Sequence, residues 1–177
     1  MNKFPTKDEA EKILLEIGCS KKIIEHSKAV TELAVKIARK MVEKNLDVDL
    51  NLVEVGALLH DIGRIKTRSV LHGYYGGKIA KMLGLPESLV NIIEKHVGAG
   101  IPAEEAVKLG LPKKNFTLDT LEEKIVAYAD KRIKHNKIID FETSLNEFKK
   151  RLGENHPAIE RLKCLHEEIV KLLGGDF

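Results

Sequence analysis

Apolar residues recur at every third or fourth position along most of the chain, a spacing that predicts amphipathic helices. The capping boxes Thr6-x-x-Glu9 and Thr120-x-x-Glu123 predict where two of these helices begin. Ser20 is the predicted cap of a longer helix, whose inward stripe runs through Ile23, His26, Val30, Leu33, Ile37 and Met41. The chain has no sustained alternation of apolar and polar residues and no Asn-Gly or Asp-Gly turn. The pattern therefore predicts an all-α fold without strands.

Glycines, prolines and a further capping residue indicate the other boundaries. The predicted elements are a helix from Asp49 to His60 ended by Gly63, a polar loop over 64–69, a helix from about Tyr74 to near Gly84, a helix after Pro86 that is broken by Gly98 and Gly100, a short helix from Pro102 to about Leu109, and two last helices near 143–152 and 157–173. His72 falls in the loop before Tyr74, where alone it would be a surface histidine. We expect one domain over residues 1–177, in which the last two helices pack on a core of about residues 20–135.

Composition narrows the possible environments and partners. The 177 residues carry a formal net charge of +3 and no block of like charge, so neither a nucleic-acid-binding arm nor a membrane-binding patch is indicated. Cys19 and Cys164 are isolated, without a CxxC pair, which fits a reducing cytoplasm. The chain begins with no apolar stretch typical of a signal peptide, and no run approaches the ~18 apolar residues of a membrane span. We therefore expect a cytoplasmic protein with no membrane association.

His60 and Asp61 stand together at the end of an apolar run that begins at Val53. Burying a carboxylate beside an imidazole is costly unless something compensates the charge, and a bound metal ion would do so. Other candidate ligands lie elsewhere in the chain, and the full set is His26, His60, Asp61, His72, His96 and Asp130. Six nitrogen or oxygen ligands are enough for one or two metal ions.

Four of these candidates fall on the apolar faces of predicted helices, because helical residues three or four apart share a face. Their apolar neighbours at that spacing are Ile23 and Val30 for His26, Gly56 for His60, Ile93 for His96, and Val126 and Ile133 for Asp130. All four side chains are therefore expected to point into the same core, where they need partners.

Each candidate also has an ordinary structural explanation. A single histidine on an apolar face, such as His26 or His96, is more often a core residue than a metal ligand. Asp130 could form a salt bridge with Lys131 or Arg132, since a buried aspartate is rare unless it is paired. Taken together and in this order, the six residues favour the metal site.

The order of these residues resembles the H…HD…D signature of the HD superfamily of metal-dependent phosphohydrolases. The residues that match the signature are His26, His60-Asp61 and Asp130. The stretch Leu58-Leu-His-Asp-Ile-Gly63 is similar to the HDIG form, and His72 and His96 resemble the two extra histidines of dinuclear members such as the HD-GYP phosphodiesterases. The similarity covers about residues 20–135 and is greatest to small stand-alone HDIG proteins of archaea.

The resemblance implies how the ligands are shared and which metals they hold. One ion would be bound by His26, His60, Asp61 and Asp130. Asp61 would bridge to a second ion bound by His72 and His96, and it is the implied catalytic residue. Mixed imidazole and carboxylate ligation suits two transition-metal ions, drawn from iron, manganese, nickel, cobalt and zinc, rather than calcium. The set lacks cysteine, unlike most structural zinc sites.

Such a site would hydrolyse a nucleotide or a related phosphomonoester or phosphodiester by activating a water molecule. Arg64 and Lys66 follow the HD pair, and Lys131 follows the last ligand, so we expect these three cations to bind the substrate phosphate. Tyr74 and Tyr75 are candidates for stacking on a base. The expected partner is therefore a small-molecule phosphoester.

Two other functions remain possible from the sequence. The first is a mononuclear nucleoside-monophosphate phosphatase, which the number of bound metal ions would distinguish. The second is a non-catalytic module that binds a nucleotide. The segment Val97-Gly-Ala-Gly-Ile-Pro102 carries no GYP element after His96, which argues against hydrolysis of a cyclic dinucleotide.

Overall fold

The structure is a computed structural model that describes residues 4–175. The α-helices in this range are α1 (Lys7–Glu16), α2 (Lys21–Glu43), α3 (Leu50–Leu59), α4 (His72–Met82), α5 (Glu87–Lys95), α6 (Ala103–Lys108), α7 (Leu121–Lys131), α8 (Phe141–Leu152) and α9 (Pro157–Leu173). None of them is both long and apolar enough to cross a membrane. The predicted all-α fold class is confirmed.

The predicted capping residues stabilise the helices that they begin. Thr6 and Thr120 each accept a hydrogen bond from the backbone N–H three residues later, while Glu9 and Glu123 accept one from the N–H of the capping threonine. Ser20 caps α2 through its hydroxyl in the same direction. Each cap satisfies N–H groups that the first turn of a helix leaves unpaired.

The core is built around α2, which packs against α3, α7 and α9. Four residues of its predicted stripe, Val30, Leu33, Ile37 and Met41, are buried, whereas Ile23 and His26 at its first turns are half-buried. Helix α4 lies against α5, and α5 in turn contacts α3 and α7. This packing brings the C-terminal ends of α3, α5 and α7 into the same region as the N-terminal end of α4, and these are the ends that carry most of the candidate ligands.

Two glycines allow these helices to approach closely. A β-carbon at Gly63 would lie 1.8 Å from the carbonyl oxygen of His72, and one at Gly56 would lie 2.7 Å from Ile92 Cδ1. Gly63 does not end α3, as the sequence predicted, because it lies within a short 3₁₀ helix, Ile62–Ile65, that follows. Its role is instead to admit the backbone at the start of α4.

The loop predicted between α3 and α4 is shorter than expected. The 3₁₀ helix takes its first two residues, Arg64 and Ile65. His72, predicted to lie in this loop, is the first residue of α4. The helix begins two residues before Tyr74, without a side-chain cap that would have indicated the start.

A small antiparallel hairpin interrupts the otherwise helical chain. Strand β1 (Ile133–Lys134) pairs with β2 (Lys137–Ile138). The turn residues His135 and Asn136 have φ angles of 47° and 60°, the left-handed conformation that a two-residue hairpin turn requires. The prediction of no strands is therefore wrong, since strands of two residues show no alternation and this turn contains no glycine.

Candidate metal centre

Six side chains meet at this end of the core. They are His26 on α2, His60 at the C-terminal cap of α3, Asp61 directly after it, His72 at the start of α4, His96 at the C-terminal cap of α5, and Asp130 on α7. His60 and His96 are at most 1% exposed and Asp61 is 2% exposed. The structure thus brings all six predicted ligands together, while their binding of metal stays a prediction.

Asp61 lies between two groups of histidines. Its Oδ1 is 3.3 Å from His72 Nε2 and 3.4 Å from His96 Nε2. Its Oδ2 is 3.6 Å from His60 Nε2 and 3.9 Å from His26 Nε2. Each oxygen of this one carboxylate therefore faces a different pair of imidazoles.

Asp130 completes the group on the Oδ2 side of Asp61. Its own Oδ1 is 2.9 Å from His26 Nε2 and 3.4 Å from His60 Nε2. Its other oxygen, Oδ2, contacts the Nζ of Lys131. The salt bridge with Lys131 that the sequence suggested is therefore present, and the other oxygen of this largely buried carboxylate faces two histidines.

Backbone carbonyl groups orient three of the imidazoles. The Nδ1 atoms of His60, His72 and His96 lie 2.7, 2.7 and 2.8 Å from the carbonyl oxygen three residues earlier in the chain. A carbonyl oxygen can only accept, so each Nδ1 carries a proton and donates it. In the neutral ring the Nε2 atom then carries a lone pair, and all three Nε2 atoms lie near Asp61. This is the tautomer in which histidine binds a metal through Nε2.

The cluster contains more acceptors than donors. His72 Nε2 and His96 Nε2 are 3.0 Å apart, and in neutral rings both carry lone pairs, so neither can donate to the other. His60 Nε2 and Asp61 Oδ1 are buried with no hydrogen-bond partner within residues 4–175, which is rare for buried polar atoms. A cation among these atoms would satisfy them, and the donor set fits divalent transition-metal ions.

Burial and charge together determine the protonation of the cluster. Burial opposes ionisation of Asp61, but His60 and the other imidazoles hold the pKa of this carboxyl well below its usual range. Burial opposes ionisation of Asp130 as well, and Lys131 is the main group that holds its pKa far below the usual range. Burial lowers the pKa of His96 to about 3. Burial also acts to lower the pKa of His60, but the two carboxylates outweigh it and raise that pKa, so the cluster attracts positive charge.

Two of the three predicted phosphate-binding cations lie beside the cluster. Arg64 Nε donates to Asp61 Oδ2 at 2.6 Å, and Lys131 Nζ donates to the His96 carbonyl oxygen at 3.1 Å. Lys66 is exposed and does not line the cleft next to the cluster. The structure therefore places Arg64 and Lys131, but not Lys66, beside the cluster, and phosphate binding by these residues stays a prediction.

The cluster opens into a cleft of about 540 Å³, whose lining includes His72, His96 and Asp130. A cleft of this volume can hold a ligand the size of a small drug or a mononucleotide. The cations in its lining are Arg64, Arg68, Lys131, Lys134, Arg151 and Arg161. Such a lining suits an anionic ligand.

Helices α8 and α9 contribute to the cleft, which the sequence did not indicate. Among the described residues, Phe148 is the one phenylalanine or tyrosine in the lining. Tyr74 and Tyr75 are absent from it, and Tyr74 packs edge-on against Phe116 with ring centroids 6.5 Å apart. Phe148 gave no functional signal because it continues an ordinary apolar stripe of Phe141, Leu145, Phe148 and Leu152.

The fold and the cluster of histidines and aspartates define the class of protein: an all-α protein with a candidate metal site where helix ends converge. Comparison with known families identifies the class further. Residues 23–134 match the HD domain, and the chain belongs to the HD domain family. This confirms the resemblance found in the sequence, and it supports a metal-dependent hydrolase in general.

Relatives of known sequence include archaeal proteins. The uncharacterized protein MJ0778 of Methanocaldococcus jannaschii is 47% identical over 167 residues, which are 93% of this chain and 99% of that protein. Two tRNA (cytidine(56)-2'-O)-methyltransferases, from Thermoplasma volcanium and Picrophilus torridus, are 42% and 38% identical over 93% and 98% of this chain. The matches cover only 46% and 49% of those two proteins, so the chain spans about half their length.

Two solved structures of the HD domain of the L. monocytogenes phosphodiesterase PgpH share the fold. The structure in complex with cyclic-di-AMP has a TM-score of 0.57 and covers 93% of this chain and 95% of its own. The second structure has a TM-score of 0.55 and covers 93% and 97%. Sequence identity is 16% in both cases, so this similarity confirms the helical HD fold and nothing finer.

Proposed function

We propose that this protein is a metal-dependent phosphohydrolase that acts on a nucleotide or a related phosphomonoester or phosphodiester. The observation that carries the proposal is the position of Asp61, whose two oxygens face different pairs of histidines. Membership of the HD family supports hydrolase chemistry. The complex of the PgpH domain with cyclic-di-AMP, a nucleotide bound by the same fold in another protein, supports the substrate class.

The residues in the cluster would hold two divalent transition-metal ions, drawn from iron, manganese, nickel, cobalt and zinc. The ligands of the first would be His26, His60, Asp61 and Asp130. The ligands of the second would be His72, His96 and the other oxygen of Asp61. When bound, such ions acidify a water molecule for attack on phosphorus and neutralise charge on the phosphoryl oxygens.

The chain's own residues orient the substrate and shape the field around it. Arg64 lies beside Asp61 at the edge of the cleft, where its guanidinium can bind a phosphate oxygen. Lys131, held by Asp130 and by the His96 carbonyl group, is a positive charge in a fixed position. The side chain of Lys131 is only 9% exposed, so water screens its charge less than it screens that of a surface lysine.

Hydrolysis of simple phosphoesters tests the proposal. With manganese supplied, the protein should hydrolyse p-nitrophenyl phosphate or bis(p-nitrophenyl) phosphate, and at least one member of a nucleotide panel. A chelator should stop the reaction and fresh metal should restore it. Binding of nucleotides without hydrolysis of any member of the panel would contradict the proposal and favour the non-catalytic binding module.

Metal content should distinguish the dinuclear site from the mononuclear alternative. Protein purified without chelator should contain close to two transition-metal ions per chain by elemental analysis. His72→Ala or His96→Ala should reduce the content to about one, because the nearest Asp61 oxygen to both histidines is Oδ1, the proposed ligand of the second ion. The exposed His135 provides the control, since His135→Ala should leave two ions in place. A wild-type value of one that neither variant changes would support a mononuclear phosphatase.

Arg64→Ala should raise KM about tenfold with little change in kcat, because a cation that binds phosphate equally in the ground and transition states affects binding alone. Steady-state kinetics with manganese in excess provide the measurement. Lys66→Ala is the matched control, since Lys66 is exposed and outside the cleft lining. A fall in kcat at constant KM would show instead that Arg64 acts through its hydrogen bond to Asp61.

A further inference from the structure

We propose that helix α8 forms a base-binding wall of the cleft, in which the nucleobase of the substrate stacks against the paired side chains of Phe148 and Arg151. This inference rests on the proposed function. The proposed function accounts for binding of the phosphate group, and the inference adds a binding surface for the base. The matched HD segment ends at residue 134, so α8 lies outside the part of the chain that defines the family. Specificity would then come from residues that are separate from the hydrolytic motif.

One face of α8 is turned toward the cleft. The lining residues on this helix are Ser144, Glu147, Phe148, Arg151 and Leu152, at the i, i+3, i+4, i+7 and i+8 spacing of a single helical face. Ser144 Oγ donates to the carbonyl oxygen of Lys131 at 2.6 Å, and Lys131 directly follows the candidate ligand Asp130. The cleft face of α8 therefore begins next to the cluster. Phe148 lies one turn after Ser144, about 6 Å further along the helix axis.

Most cations of the cleft are already paired with carboxylates. Lys134 contacts Glu147, and Arg161 binds Glu105 at 2.8 Å. Arg64 and Lys131 contact the aspartates of the cluster, as described above. These four cations are therefore held in position by carboxylates.

Arg151 differs from these cations. Its guanidinium carbon lies 4.5 Å from the ring centroid of Phe148, and within residues 4–175 it has no carboxylate within ion-pair distance. The guanidinium lies over one face of the ring, so the two side chains form a stacked pair in the lining of the cleft. Nucleobases stack on aromatic rings and on guanidinium planes.

The remainder of the lining also suits a nucleoside. It includes the apolar side chains Val97, Ile101, Ile133 and Ile139. A small phosphate ester without a base would leave these side chains exposed to water, whereas the base and sugar of a nucleoside would cover them. The cleft thus combines phosphate-binding cations at the cluster with an aromatic and apolar surface on α8.

The test compares substrates that carry a base with phosphoesters that lack one. AMP and ribose 5-phosphate form a monoester pair, and thymidine 5′-(p-nitrophenyl phosphate) and methyl p-nitrophenyl phosphate form a diester pair. In manganese-loaded protein, Phe148→Leu should lower kcat/KM about tenfold for the base-bearing member and less than about twofold for the base-free member. Leucine keeps an apolar side chain against the core, and Phe148→Tyr, which keeps the ring, should remain close to wild type.

Calorimetric binding of a non-hydrolysable nucleotide, adenosine 5′-methylenephosphonate, provides a readout without turnover. The affinity of metal-loaded protein should fall about tenfold in Phe148→Leu and also fall in Arg151→Ala. Lys150→Ala, at an exposed position of α8 outside the cleft lining, should bind as wild type does.

The outcomes separate this inference from the proposed function. If Phe148→Leu weakens binding of the nucleotide, the inference is supported even when the protein hydrolyses nothing. Absence of hydrolysis would contradict the proposed function alone. Equal affinity in wild type and Phe148→Leu, or an equal loss for both members of a substrate pair, would overturn the inference.

Discussion

Replacing Asp61 with alanine is expected to abolish phosphoester hydrolysis while leaving the helical fold largely intact. Each oxygen of this carboxylate faces a different pair of histidines, so its loss removes a ligand from both proposed ions. Loss of a residue that merely supports a metal ligand typically costs about 10–100-fold in metal affinity or activity, and loss of a shared ligand should cost more. The effect should also exceed that of losing His72 or His96, each of which serves one ion.

The measurement is kcat/KM with manganese in excess, alongside circular dichroism as a check on helical content. Asp61→Asn keeps the shape of the side chain but not its charge, and it should be nearly as inactive as Asp61→Ala. Asp47→Asn makes the same chemical change at an exposed site and should be fully active. An active Asp61→Ala protein would rule out the proposed hydrolytic centre.

Gly63→Ala is expected to destabilise the protein and to displace His72 from the cluster. The new β-carbon would lie 1.8 Å from the carbonyl oxygen of His72 and 2.5 Å from the backbone nitrogen of Gly76. Both are backbone atoms of α4, so no side-chain rotation relieves the clash and the helix itself must move. Overpacking of this kind costs about 1–3 kcal/mol and occasionally more. Because His72 is the first residue of that helix, metal content and activity should fall together with stability.

Urea unfolding and elemental analysis of the same preparation would measure both effects. Gly18→Ala separates steric from conformational causes, since Gly18 has a φ of +83° but nothing within 4 Å of an added β-carbon. That variant should lose about 1–2 kcal/mol from backbone strain and keep its full metal content. A Gly63→Ala protein with wild-type stability and two ions would show that the contact between Gly63 and α4 is looser than the structure indicates.

The helices and the candidate ligands could largely be predicted because the signals for them are local. His26 and Asp130 share a helical face with apolar neighbours three or four residues away, and that spacing alone indicates that they point inward. Capping residues such as Thr6 and Thr120 likewise act on N–H groups within one turn. Each of these predictions needed only a short stretch of sequence.

The features that the sequence did not predict depend on contacts between distant segments. The cleft face of α8 depends on the hydrogen bond from Ser144 to Lys131, 13 residues earlier, and on the packing of α8 and α9 against the rest of the chain. No periodicity distinguishes a phenylalanine that lines a cleft from one in the core, so Phe148 carried no functional signal. The start of α4 at His72 is similarly set by its packing beside Gly63 rather than by a capping residue.

The orientation of His60, His72 and His96 by backbone carbonyl groups bears on how such a centre evolves. Where a carboxylate side chain holds a ligand histidine, a point mutation of that side chain can weaken the site or adjust its metal preference. Here the supporting atoms belong to the main chain three residues earlier, and no exchange of a neighbouring side chain removes them. Exchanging a supporting side chain therefore leaves the carbonyl acceptors of the three imidazoles in place, and a neighbouring substitution disturbs them only where it moves the backbone, as Gly63→Ala would. Descendants of such a protein would diversify through their choice of substrate, in the cleft wall, far more readily than through the reaction centre.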